Sequence, residues 1–357
     1  MLVKLILSTT QIFEHRVVSV DDIDTQGEVL QRHGISITSL NFKHKNFLNA
    51  LGQTARTKNI IKEWNPDIIQ GWMYHGNLFA WYFRYDDKPL FFNIRHSLHN
   101  PSHEKYHTRL AIWLNARLST STQHVIYNST VSTAQHEKVN FDQSKSKFIP
   151  NGFDTDLFSP DNGIRNMVRD ELGIPQHTFL FGQIGRLHPM KGHMTLLRSI
   201  QQVIRKLEDA HFILMGNGVS SDPQIKNYIL EHDLNPFVTL IDERDDVDRI
   251  LKSLDICIMP SLWGEAFPNI IGEAMSSQVP CIVTEVGDAG LLVGDSGFVV
   301  RAGDIDALSD AILKSRHLSE QQLTELGILA RSRILDHFSL NHISKMYVDT
   351  YMGAIQS

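Results

Sequence analysis

The sequence predicts an α/β protein made of two doubly wound, Rossmann-like parallel-sheet domains, with a cleft between the carboxyl ends of their strands. Three observations carry that expectation. Short β-branched or aromatic runs recur at intervals of roughly 20–35 residues, with helix-like stretches between them. The later runs are apolar on successive residues, as parallel strands covered on both faces are. The whole pattern occurs twice, with a break near Pro150-Asn151-Gly152. A chain of 357 residues suits two domains.

Taken in order, the first half reads as strands at Arg16–Val20, Ile35–Leu40, Asp67–Gln70, Leu90–Ile94, Val125–Asn128 and Lys147–Ile149. The second half reads as strands at Phe179–Ile184, His211–Met215, Val238–Ile241, Ile256–Met259 and Cys281–Thr284. Alternating strands and helices imply right-handed crossovers, and such sheets bind ligands beyond the carboxyl ends of their strands. Pro150 and Gly152 punctuate a linker able to act as a hinge.

Composition excludes several classes. Hydrophobic residues make up 42% and charged residues 21%, which is wrong for a disordered chain. No apolar run approaches the roughly 20 residues of a membrane-spanning helix, and Met1–Leu7 is too short for a secretory signal. Cys257 and Cys281 both sit in apolar runs, which argues against a disulfide framework or a cysteine zinc site and fits a reducing cytoplasm. The net charge of −6 hides an asymmetry: residues 1–150 carry 17 Lys+Arg against 12 Asp+Glu, and residues 151–357 carry 17 against 28. A basic half joined to an acidic half suggests different partners, or only scatter over solvated faces.

Four segments carry chemistry. Gly185-Arg186-Leu187-His188-Pro189-Met190-Lys191-Gly192 follows a strand and leads into a helix-like run, His193–Lys206. A glycine lets backbone approach a ligand, and Arg186 and Lys191 suit phosphate oxygens beside a helix start. The same residues also read as a plain loop with two solvated cations. Ser261–Glu273 follows another strand; Pro268 is placed as the first helical residue, with Glu265 before it and Glu273 in its second turn. Such carboxylates can take sugar and ribose hydroxyls, or one can cap the helix while the other is solvated. Met215-Gly216-Asn217-Gly218 is a third strand end. Asn93-Ile94-Arg95-His96-Ser97 ends a strand of the first half, where a histidine and an arginine could meet a charged leaving group or a hydroxyl; such a histidine is also often structural. His99, His103 and His107 read as a solvated face rather than a metal site, because partner carboxylates at a recognised spacing are missing. The Asp pairs at 22–24, 154–156 and 304–306 read as turn or cap residues.

Together these segments resemble the retaining family 4 glycosyltransferases, which have the GT-B fold, of the bacterial capsule, O-antigen and exopolysaccharide type. The residues carrying the resemblance are IPNGFD at 149–154, GRLHPMKGH at 185–193, MGNG at 215–218, ERDDV at 243–247, SLWGEAFPNIIGEAM at 261–275, VPCIVTEVGDAG at 279–290 and FSL at 338–340. The resemblance implies an acceptor-binding domain over 1–150, a nucleotide-sugar domain over 151–337 and a C-terminal helix over 338–357 that returns to the first domain. Arg186 and Lys191 would hold the diphosphate of a UDP- or GDP-linked hexose. Glu265 would accept from the sugar hydroxyls, beside backbone groups of Phe267, Pro268 and Asn269, and Glu273 would hold the ribose. Gly185, Gly216 and Arg244 complete the donor side. His96, with Arg95, would face the anomeric carbon. Transfer would retain configuration and need neither metal nor other cofactor, and the two domains would close about the hinge. The implied partners are the nucleotide sugar and a glycan or lipid-linked acceptor, with no nucleic acid. Lys43, Lys45, Arg56, Lys58 and Lys62 are the expected contacts to an anionic inner membrane face.

The amino terminus departs from the family pattern. Met1–Ile6 reads as the middle of the family's first helix, so the first domain is expected to lack its first strand and the Gly-Gly loop after it, through a misassigned start or a natural truncation. That leaves a second reading, a non-catalytic nucleotide-sugar-binding remnant. Asp242 and Ser277-Gln278 replace glycine-containing positions near the nucleotide side. An epimerase or phosphorylase of the same fold is disfavoured by the Arg/Lys loop with GEAFPN, and a dehydrogenase by the lack of a GxGxxG after a strand.

Overall fold

The structure is a computed structural model that describes residues 1–41, 47–100, 102, 104–207 and 209–356. Lys43, Lys45 and His103 lie outside the described residues. The chain forms two compact units, Met1–Gly152 with Leu340–Ser357, and Phe153–Ser339. The changeover comes at Phe153 rather than at 151 for a packing reason. Phe153 pairs with Ser339 through an isolated bridge, and its ring stacks on Phe267 at 6.2 Å in the second unit's core.

In the first unit the strands are β1 (Arg16–Ser19), β2 (Ser36–Ser39), β3 (Ile69–Gln70), β4 (Leu90–Ile94), β5 (His124–Tyr127) and β6 (Ser146–Phe148). All are parallel, and they form two separate pieces, β1-β2 and β3-β4-β5-β6. A cavity of about 730 Å3 lies between the pieces, lined by Val17 and Val18 of β1, Ile69 and Gln70 of β3, and apolar side chains such as Ile61 and Phe79. The chain enters through a helix, Leu2–Thr9, which packs on the C-terminal helix Leu340–Gln356. β4 is buried along its whole length, as the unbroken apolar run Leu90-Phe91-Phe92 requires.

The second unit holds β7 (Phe179–Ile184), β8 (Ala210–Met215), β9 (Val238–Ile241), β10 (Ile256–Met259), β11 (Cys281–Thr284) and β12 (Gly297–Val300). They form one parallel sheet in the order β12-β11-β10-β7-β8-β9. Alternate residues feed two cores: Leu180, Ile213 and Cys257 face one layer of helices, and Phe181, Phe212 and Ile258 the other. The rings of Phe181 and Phe212 stack at 4.7 Å across β7 and β8. Cys257 and Cys281 sit opposite each other on β10 and β11 as free, fully buried thiols, and burial pushes the Cys281 thiol up, away from reactivity. β12 was not anticipated; it is an edge strand of only four residues that is not fully buried. Two of the three Asp pairs cap helices, Asp24 through Gly27 N–H at 3.0 Å and Asp304 through Ala307 N–H at 2.9 Å. Asp154 closes a turn by accepting from the N–H groups of Asp156 and Leu157.

Candidate functional site

Strand order places the site. From β7 the chain moves to β8 on one side, and β10 lies on the other, so the order reverses between β7 and β10. At such a switch point the loops leaving two neighbouring strands diverge and leave room for a ligand. The loop after β7 carries Gly185, Arg186 and Lys191, and the loop after β10 carries Ser261, Glu265 and Phe267.

Backbone contacts lock these loops together. Gly185 N–H donates to Met215 O at 2.8 Å, Leu187 N–H to Asn217 O at 2.9 Å and Leu262 N–H to Met190 O at 2.7 Å. Asp288 N–H, from the loop after β11, donates to Ala266 O at 2.8 Å. This knitting needs glycine where backbones nearly touch. At Gly216 (φ 153°) a Cβ would lie 2.1 Å from Gly185 O, and at Gly192 (φ 67°) 2.0 Å from Pro260 O.

The result is an ion pair between residues 74 positions apart. Lys191 Nζ donates to Glu265 Oε1 at 2.7 Å, and the Ser261 hydroxyl donates to the same oxygen at 2.7 Å. Glu265 is 8% exposed, and the Lys191 stem runs past the open Cα of Gly185. Beneath the lysine, the buried Gln183 side-chain amide donates to Lys191 O at 2.8 Å and holds the turn Pro189–Lys191. His193 opens the next helix; burial, reinforced by the Lys191 charge, lowers it to about 4, so it stays neutral at pH 7. Arg186 is exposed, and no ion pair among the described residues involves it. Ser261 and Gln183 were not singled out from sequence. The Ser-x-x-x-Glu spacing of 261–265 was the available signal for the first; nothing local marks the second.

Other expected residues take different places. Pro268 is the N-cap of the helix Asn269–Ser276, so Asn269 is the first helical residue, one position later than expected. Phe267 is a core side chain between Phe153 and Phe338, which leaves its backbone at the helix entrance. Glu273 lies in the second turn of that helix. Arg244 is not an open cation: its Nε and Nη2 bond Asp246 at 2.8 Å each, Nη2 also bonds Glu171 at 2.8 Å, and Arg249 joins the cluster. These contacts raise Arg244 and lower Asp246 to about 2. Its Nε and Nη2 are thus held by acids from its own loop and from the helix Asn162–Glu171.

In the first unit Arg95 is likewise committed. Its guanidinium donates to Asn93 Oδ1 at 3.0 Å, to Asn151 Oδ1 and to the Tyr347 hydroxyl, and lies 5.1 Å over the Trp72 ring. These contacts tie it to the C-terminal helix. His96, one residue on, keeps a half-open ring between Tyr74 and Glu104. Among the described residues no cluster of three His, Cys, Asp or Glu side chains could hold a metal.

Comparison with known proteins bears on the family. The model of glycosyl transferases group 1 matches residues 178–316, and that of glycosyltransferase family 4 matches residues 11–157. The chain belongs to the glycosyltransferases. Its group 1 domain holds the Lys191–Glu265 pair, and its family 4 domain holds His96. The chain is 29% identical over 216 residues to the UDP-Gal:alpha-D-GlcNAc-diphosphoundecaprenol alpha-1,3-galactosyltransferase of Escherichia coli, covering 58% of this chain and 55% of that protein. It is 26% identical over 193 residues to the capsular polysaccharide biosynthesis glycosyltransferase CapM of Staphylococcus aureus, covering 53% and 49%. The chain thus spans about half the length of these curated relatives. The solved structure of Anabaena Alr3699/HepE in complex with UDP superposes with a TM-score of 0.82 at 21% identity, over 98% of this chain and 96% of that one. The fold is GT-B.

Replacing Gly216 by Ala drives a methyl into Gly185 O and is expected to cost at least about 1–3 kcal/mol of stability. Gly353→Ala, in the C-terminal helix with nothing within 4 Å of its Cβ, is expected to be neutral or mildly stabilising. Equal denaturation midpoints for the two variants would show that the loop contact carries no weight.

Proposed function

We propose that this glycosyltransferase moves a hexose from a UDP- or GDP-linked donor to a glycan or lipid-linked acceptor, with retention, in the synthesis of a bacterial surface polysaccharide. The observation that carries the reading is the pair Lys191–Glu265, held at the sheet's switch point by four knitted loops, the first of which also carries Arg186. Negative charge builds on the diphosphate as the sugar bond breaks. The cations Arg186 and Lys191, the second of them held in place by Glu265, stabilise that charge more than they stabilise the bound donor. Glu265 holds the lysine in place and offers its carboxylate to sugar hydroxyls, while Glu273 takes the ribose. The reading assigns no cofactor, since these cations take the leaving-group charge. The donor nucleotides follow from the resemblance and from neighbours solved with UDP and UDP-glucose; the acceptor class follows from the lipid diphosphate in the name of the E. coli relative.

An anionic membrane surface remains part of the proposal, but through another face than expected. Of the basic residues expected to touch it, Arg56, Lys58 and Lys62 lie on the helix Phe47–Trp64, and Lys58 Nζ sits 4.9 Å over the Tyr82 ring. The helix Tyr106–Leu118 offers a better surface. Tyr106 (80% exposed), Leu110 (47%) and Trp113 (51%) share one face at helical spacing, with Arg109 and Arg117 also exposed and no acidic residue in the helix. Aromatics and arginines together suit the headgroup boundary, where each cation contributes about 1 kcal/mol.

Two measurements check the reading. UDP or GDP, or their hexose conjugates, at a hundredfold excess over the dissociation constant should stabilise the protein by about 2.7 kcal/mol. Lys191→Ala should weaken that binding roughly 10- to 150-fold, the loss of a charged hydrogen bond worth about 1.5–3 kcal/mol. Indifference to every nucleotide removes the donor assignment. At low salt the protein should co-sediment with phosphatidylglycerol vesicles but not with phosphatidylcholine, and Trp113→Ala with Arg109→Ala should release it. Equal behaviour of both lipids sinks the membrane face alone.

A further inference from the structure

Behind His96 lies a chain of hydrogen bonds whose protons can be assigned one by one. The Ser132 hydroxyl donates to His96 O at 2.6 Å, so its oxygen can only accept from the His136 ring 3.3 Å away. His136 Nδ1 also lies 2.7 Å from Ser132 O, which has no proton to give. Both neighbours therefore require the proton of His136 on Nδ1. Burial lowers His136 to about 4, so at pH 7 the ring is neutral and its Nε2 carries a lone pair. The Tyr74 hydroxyl, 2.7 Å from that Nε2, must then donate to it. Burial also pushes Tyr74 up, so the hydroxyl does not ionise. With its only proton used, the Tyr74 oxygen can offer His96 Nδ1, 3.3 Å away, only a lone pair.

The other edge of the ring is different. His96 Nε2 faces Glu104 Oε1 at 3.5 Å, and both side chains are partly exposed, at 36% and 25%. Water or a ligand hydroxyl can reach Nε2. Tyr74 is 3% exposed, and among the described residues its hydroxyl is the hydrogen-bond partner of His96 Nδ1. An unpaired buried nitrogen costs about 1–3 kcal/mol, whereas a wet one costs little.

We infer that Tyr74 and His136 are positioning residues for His96: against the pull of Glu104 on the other edge they keep the proton of the neutral ring on Nδ1, and they make Nε2 the atom through which the ring exchanges a proton with a sugar hydroxyl or a phosphate oxygen. Neutral His96 accepts a hydrogen bond through Nε2. After taking a proton there, it donates to Glu104 or to a ligand oxygen, and Nδ1–H stays on Tyr74 throughout. The loop is braced for this by the helix Thr130–Glu137: the side-chain oxygen of Gln135 accepts from Leu98 N–H at 2.7 Å and from the Ser97 hydroxyl at 3.1 Å. The inference rests on the proposed substrate-facing role of His96 only for its purpose; the proton positions stand on the hydrogen-bond geometry and on the burial that keeps His136 neutral.

The test is long-range proton–nitrogen NMR on the full chain with ¹⁵N-labelled histidine, without any ligand, the His96 signals being assigned through His96→Asn. At a pH where His96 is neutral, the expected spectrum has the proton on Nδ1 and a bare Nε2, opposite to the tautomer that free imidazole side chains favour in water. Tyr74→Phe removes one hydroxyl and should shift His96 toward the Nε2–H form. Glu104→Gln should leave Nδ1 protonated. A wild-type ring with its proton on Nε2, or a Tyr74→Phe ring unchanged from wild type, overturns the inference. The wild-type spectrum decides it even if the variant unfolds. Because no donor is present, this outcome is independent of the nucleotide-binding result.

Discussion

A lysine and a glutamate far apart in the chain meet 2.7 Å apart, and much of the second unit serves to keep them there. Lys191 stands on a turn after β7, and Glu265 hangs from the loop after β10. Neither loop would hold its shape alone. The first is fastened to the strand end at Met215, and the second is tied to the first through Leu262 and to the loop after β11 through Asp288. A partly buried ion pair gains little unless its geometry is fixed and its remaining lone pairs are satisfied. Ser261, on the same carboxylate oxygen, and Gln183, under the lysine, supply that support.

The constraint runs down to the choice of single residues. Gly192 and Gly216 sit where neighbouring backbones come within reach of a missing Cβ, and Gly287 is held the same way against Glu265 O at 2.3 Å. Gly272 leaves space for the ring of Phe153, whose arrival marks the start of the second unit. Two of the expected site arginines also brace the frame. Arg95 ties the strand end at Asn93 and the linker at Asn151 to the C-terminal helix at Tyr347, and Arg244 closes an acidic cluster against Glu171.

Much of this was legible in sequence. Five of the six strands of the second unit could be read because each is a short, mainly apolar run between helix-like stretches, and the loops after β7 and β10 stood out through Arg186, Lys191 and Glu265. What escaped has a common cause. β12 is an edge strand with no fully buried residue, as short as β9, β10 and β11 but less enclosed than they are. The fate of Arg95 and Arg244 depends on Tyr347 and Glu171, 252 and 73 positions away. Tyr74 and His136, 62 positions apart, meet only after β4 and two helices have packed. Sequence names the functional group; the fold decides whether its hydrogen bonds are already taken.

The most direct test of the central claim is a crystal structure of the protein with UDP bound. The account requires the diphosphate within hydrogen-bonding distance of Arg186 and Lys191, with the ribose hydroxyls on Glu273. A nucleotide seated elsewhere, or a diphosphate that leaves both cations unoccupied, would contradict it.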